Sequence, residues 1–216
     1  MNTAGNWTPA TVPNNTRDCE IGAGYSVPIM AGAFACQNMT WLSTGTINWN
    51  NTSNIYSVNG ALTIGSTFAY NNTTTSAILR FAGSTSQSVN MNGNTFPGSV
   101  QVNNATGPIT FESSGTINGS LTLNSGTTRI TDGTTLTVNG GITIISGATL
   151  DIEPGGTLVM GNGTTLTVNL GGTLEIVGST LKTADIVAVN NSSTYSVVVN
   201  GTISARYYSF KNLGTN

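Results

Sequence analysis

The chain is predicted to be all-β, a right-handed parallel β-helix (β-solenoid) with three strands and about 22 residues per coil. Three observations predict it. Short apolar–X–apolar triplets recur along the chain, glycine interrupts every window a helix would need, and the triplet spacings group in threes. From Gly119 on, the clear copies are Leu121-Thr122-Leu123, Leu136-Thr137-Val138, Ile142-Thr143-Ile144, Leu150-Asp151-Ile152, Leu158-Val159-Met160, Leu166-Thr167-Val168 and Leu174-Glu175-Ile176. Thr128-Arg129-Ile130 and Leu181-Lys182-Thr183 read as weaker copies. Each triplet alternates as a half-buried strand does. Most are followed closely by Gly or Asn, which tolerate the left-handed backbone of a tight turn.

Strands this short cannot make a core as hairpins, because each supplies only two inward side chains. Stacking similar coils solves this, since every strand then pairs in parallel with its equivalent one coil away. Three ladders are expected: Thr122, Thr143 and Thr167; Arg129, Asp151 and Glu175; and Thr137, Val159 and Lys182. Inward stacks of Leu136, Leu158 and Leu181, and of Leu150 and Leu174, accompany them. Asn118, Asn124, Asn139, Asn169 and Asn200 fall near strand ends, where their amides suit the corners by bonding the local backbone. Residues 1–216 read as a single β-solenoid domain, with 1–98 as less regular coils carrying inserted loops and 99–216 as regular coils. Roughly eight or nine coils at about 4.8 Å each would form a rod about 40 Å long.

Composition narrows the function. Only 6% of residues are charged, histidine is absent, and six Lys plus Arg make no basic patch, so nucleic-acid binding is not expected. Hydrophobic residues make up 38%, enough to bury a core. The surface must then be Thr, Ser, Asn and Gly, which suits an extracellular chain. The most apolar stretch, Val27 to Cys36, is broken by Pro28 and Gly32 and is too short to span a bilayer, so membrane insertion is not expected either. Asn2, Thr3 and Gly5 follow Met1 at once, which is no secretory leader. Cys19 and Cys36 are the two cysteines; they are either a disulfide, brought together by neighbouring coils, or two buried free thiols. Without histidine they do not complete a tetrahedral metal site, and no metal or other cofactor is expected.

The opening "GNWTPATVPNNTRDCEIGAGYSV", the segment "LRFAGSTSQSV" and the closing "ISARYYSFKNLGTN" resemble parts of a loose family of large secreted bacterial surface proteins, described as adhesin-like and built of right-handed parallel β-helix repeats. The resemblance implies a fragment or subunit with a surface-structural role rather than a reaction. Its partners would be copies of itself or further solenoid coils, with surface glycans as a second class, and its place the cell surface or the extracellular space.

Candidate sites compete with plainer readings. Asp151 and Glu175 share an outward ladder with Arg129, as two glycosidase carboxylates would, but a charged ladder is ordinarily solvated surface, and no enzyme is expected. The Thr122, Thr143, Thr167 ladder invites an ice-binding reading, against the simple preference of Thr for exposed strands. Trp41, Trp49 and Tyr56, with Phe68, Tyr70 and Phe81, either stack on sugar rings in a carbohydrate-binding module or pack beneath loops. Burial is the commoner fate of such rings. The leading expectation is an extracellular structural or adhesive module able to assemble end to end. Carbohydrate binding through the N-terminal aromatics comes next, then ice binding.

Overall fold

A strand of three to five residues is stable only when its neighbours cover its inner face and saturate its backbone. The computed structural model describes residues 13–21, 33–42, 46–47, 53–66, 69–70 and 76–214, and it meets both needs by stacking. Strand pairing among the described residues is parallel throughout, no helix occurs, and the chain forms a β-solenoid with about 22 residues per turn.

Each turn visits three faces in order. The first carries the inward stack Phe34, Tyr56, Leu79, Val100, Leu121, Ile142 and Leu166, each in register with the next. The second stacks Phe111, Ile130, Ile152 and Ile176. The third stacks Phe96, Ile117, Val138 and Met160. All of these side chains are buried, so the core is one continuous apolar column running along the axis. Alternation dictates this: inward positions are apolar at every second residue, and a slip of one would turn the whole stack outward.

Corners depend on particular residues. Strand Leu121–Ile130 serves two faces and bends between them at Gly126, whose φ is +72°. A Cβ there would lie 1.7 Å from the carbonyl oxygen of Asn104 in the preceding coil, so only glycine fits. Beneath that corner, Asn104 and Gln87 form a buried polar plug. The Gln87 amide donates to the carbonyls of Val58 (2.9 Å) and Gly60 (2.8 Å), and its oxygen accepts from Gly83 N (3.0 Å) and Asn104 Nδ2 (3.0 Å). Asn104 also donates to Thr85 O (2.6 Å) and accepts from the backbone of Thr106 (3.2 Å) and Gly107 (3.0 Å). These contacts tie successive coils across the corner, where Val58 O also accepts from Ala82 N (3.0 Å).

Two expectations need correction. Leu181 does not continue the Leu136–Leu158 stack: it is 92% exposed, and Ile186 pairs with Leu158 instead. Ser179 Oγ accepts from the backbone N–H of Leu181 (3.3 Å) and Lys182 (3.1 Å), closing a turn that lifts this triplet out of the sheet. Lys182 accordingly leaves the outward ladder, where Val187 pairs with Val159, and ion-pairs with Asp132. Two of the corner asparagines, Asn124 and Asn139, also act differently. Asn124 Nδ2 donates to Asn103 Oδ1 (2.7 Å) and Asn139 Nδ2 to Asn118 Oδ1 (2.9 Å), side chain to side chain between coils rather than to the local backbone.

Candidate functional site

Outward residues of stacked strands fall into columns, and three columns carry the candidates. Thr122, Thr143 and Thr167 lie in register on the first face, continued by Gln101 on one side and Val198 on the other. A second threonine column, Thr127, Thr149, Thr173 and Thr202, runs up the second face. The sequence reading overlooked it. Its signal was the threonine that precedes an inward residue in each phrase, as in Thr149-Leu150, Thr173-Leu174 and Thr202-Ile203. Beside it stands the charged column Arg129, Asp151, Glu175 and Ser204.

In that column Arg129 Nε lies 3.4 Å from Asp151 Oδ2 and 3.9 Å from Glu153 Oε1. Burial, then the neighbouring charges of Glu175 and Glu153, push the Asp151 carboxyl above the ordinary carboxylate range, with Arg129 pulling it back. The arrangement is a partly satisfied surface charge network. Among the described residues, no three of His, Cys, Asp and Glu gather where a metal ion could be held.

Trp41, Tyr56 and Phe81 lie inside. Trp41 and Tyr56 are 0% exposed; both occupy inward positions, so neither offers a ring face to a sugar. Trp49 and Phe68 lie outside the described residues. Trp41 stacks on Phe96, with ring centroids 6.5 Å apart, and Phe34 packs against Tyr56 at 5.1 Å. Cys19 and Cys36, both buried, are joined as a disulfide with Cα atoms 5.7 Å apart. The bond crosses the inside of the coil between the first strand of the second face and the first strand of the first face.

The remaining feature is the last coil. Strands Tyr195–Val199, Thr202–Arg206 and Tyr208–Lys211 are the last strands of the three ladders. Their inward residues Val197, Val199, Ile203, Ala205, Tyr208 and Phe210 sit on Leu166, Val168, Leu174, Ile176, Ala184 and Ile186. The lower six are fully buried, yet Ile203 is 43% and Tyr208 47% exposed. No family model, curated protein or solved structure matches the chain.

Beyond the last coil the chain begins the next turn: Leu213 pairs in parallel with Tyr195, and Gly214 N donates to Tyr195 O (2.8 Å). The same alternation that buries the coil beneath sets the inward positions of this one. The corner between its last two strands is tight: Tyr207 takes φ +49°, with the Arg206 guanidinium 5.4 Å from its ring centroid. Tyr208 and Phe210 meet edge to face at 5.5 Å. Charge is sparse here. From residue 186 onward the sequence holds Arg206 and Lys211 and no acid.

Proposed function

We propose that this chain is an extracellular structural module, a rigid β-solenoid rod of an adhesin-like surface protein or fibre, with no catalytic role. The observation that carries the reading is the stack itself: three parallel ladders held in register around one continuous apolar column, which makes a rigid rod. A disulfide buried at the opposite end of the ladders agrees with an oxidising compartment. So does the surface, in which hydroxyls and amides replace lysine.

Protease shaving of intact source cells, followed by peptide mass spectrometry, tests the reading. Peptides from this chain should be released before cells lyse, and their recovery only from lysed cells would refute an extracellular role. The glycan alternative has lost two of its stacking rings, Trp41 and Tyr56. The ice alternative has its ladder in register, but Gly141 and Ile145 break the first face, and charges flank the second threonine column. Absence of thermal hysteresis is the expected result.

A further inference from the structure

We infer that the six Asn-Gly corners of the solenoid are latent deamidation sites, kept as asparagine only while the coils stay stacked, so that a coil that opens is modified irreversibly. The asparagines are Asn59, Asn92, Asn118, Asn139, Asn162 and Asn200, each followed directly by glycine. This holds wherever the rod is displayed.

Asn-Gly is reactive because glycine has no Cβ to shield its nitrogen or restrict its backbone. That nitrogen, on losing its proton, attacks Cγ of the preceding asparagine. The N–Cγ bond forms, the Cγ–Nδ2 bond breaks, and Nδ2 leaves as ammonia with the proton. Water then opens the five-membered imide at one of its two carbonyls, leaving aspartate or isoaspartate. The reaction needs water alone, and no oxidant or reductant. In the stack every attacking nitrogen is already committed. The N–H groups of Gly60, Gly119, Gly140 and Gly201 donate to the carbonyls of Gln37, Gly98, Gly119 and Val168 in the coil before. Those of Gly93 and Gly163 donate to Ser114 and Thr194 in the coil after, both at 2.7 Å. An anion formed at any of these nitrogens would face a carbonyl lone pair instead of a proton acceptor. Two leaving amides are tied to other coils as well: Asn92 Nδ2 donates to Ile64 O (2.7 Å) and Asn139 Nδ2 to Asn118 Oδ1 (2.9 Å).

The fold itself demands the reactive pair. A Cβ at Gly140 would lie 2.6 Å from the carbonyl carbon of Gly119 in the preceding coil, and Gly163 takes φ +68°. Conversion then prevents restacking. Each event adds negative charge to a chain whose net charge is already −2. At Asn118 and Asn139 it replaces a hydrogen bond between coils with two facing carboxylates. Isoaspartate also threads an extra carbon into the backbone at the corner, which displaces the strand that follows from its register.

Peptide mapping by mass spectrometry, with the 216-residue chain incubated in heavy-oxygen water, tests this. Held folded at pH 8 and 37 °C, all six asparagines should persist. Held in guanidinium chloride at the same pH, all six should convert, faster by roughly a hundredfold or more, since attack waits on the coil opening. Gln87→Ala takes the side-chain amide away from the carbonyls of Val58 and Gly60, on either side of Asn59. In the folded variant Asn59 should convert roughly tenfold faster than in wild type, while Asn139 and Asn162 keep the wild-type rate. Refolding yield should fall in step with conversion in denaturant at pH 8. It should stay full after equal time in denaturant at pH 5, where the glycine nitrogen keeps its proton. Conversion in the folded chain at the denatured rate would overturn the inference. So would equal acceleration of Asn59, Asn139 and Asn162 by Gln87→Ala, or the same loss of refolding at pH 5 as at pH 8.

Discussion

The hydroxyl of Tyr195 donates a 2.8 Å hydrogen bond to the carbonyl oxygen of Ile186, joining the last strand of the first face to the next-to-last strand of the third across the core. The ring is buried, and the strand beyond it is not, so Tyr195 seals the penultimate layer from inside. Its pKa is pushed up to about 12, by burial above all, with the backbone of Lys211 opposing. A phenol held protonated in the fold and free to ionise near 10 when unfolded stabilises the fold fully below pH 10, and that contribution is lost as pH rises toward 12. Tyr195→Phe should cost about 1 kcal/mol at neutral pH. In urea titrations it should also lose less stability than wild type between pH 10 and pH 12. An identical alkaline profile for the two proteins would contradict the assignment.

Thr128 stands in an inward position, in register with Ile109 and Leu150, and its buried Oγ1 has no hydrogen-bond partner. Valine has nearly the same shape without the hydroxyl. Thr128→Val should therefore raise stability by about 1 kcal/mol, measured by thermal or chemical denaturation. Destabilisation would show that the hydroxyl is satisfied in solution.

Gln87 and Asn104 behave as one unit, because each holds the other as well as the backbone around it. Gln87→Ala should cost about 2 to 4 kcal/mol, since the carbonyls of Val58 and Gly60 and the N–H of Gly83 all lose a buried partner. The double variant Gln87→Ala/Asn104→Ala should cost clearly less than the sum of the two single changes. Additive losses would mean that the two amides act separately.

Asp151 works against the fold at neutral pH. A carboxyl whose folded pKa lies above its unfolded value of 3.8 favours the fold when protonated, and that advantage disappears as pH rises through the folded pKa. Asp151→Asn should therefore raise the melting temperature at pH 7 and change it little near pH 3. Arg129 keeps Glu153 as its partner in that variant. A lower melting temperature at pH 7 would show that the Arg129 pair outweighs burial and the Glu175 repulsion.

The disulfide between Cys19 and Cys36 closes a short loop, with a sequence separation of 17. Removing it by Cys19→Ser/Cys36→Ser should cost about 3 kcal/mol, since a loop of that size loses its constraint in the unfolded chain and two buried sulfurs become hydroxyls. Equal melting temperatures for the two chains would deny it a structural role.

Period and polarity were legible because they are local. Leu121, Leu150 and Leu174 announce inward positions by alternation alone, and the in-register column Thr122, Thr143, Thr167 follows from spacing. Leu181 has the same local alternation and still leaves the core. What removes it is the Ser179 turn, a hydrogen-bonding choice that periodicity does not encode. Gln87 and Asn104 read as ordinary polar residues, because the carbonyls they satisfy come from other coils, as far as 29 residues away. Trp41 and Tyr56 left two fates open, and only the closure of the coil around them chose burial.

By itself, then, the sequence determined the parallel stack, its period and most of its inward residues, since each depends on side-chain alternation within a few residues of chain. The tertiary structure alone decided which coil residues meet across the axis, that the cysteines pair, and that Trp41, Tyr56 and Phe81 are core. Those outcomes depend on distances between segments a full turn or more apart, which are set only when the coils close on one another.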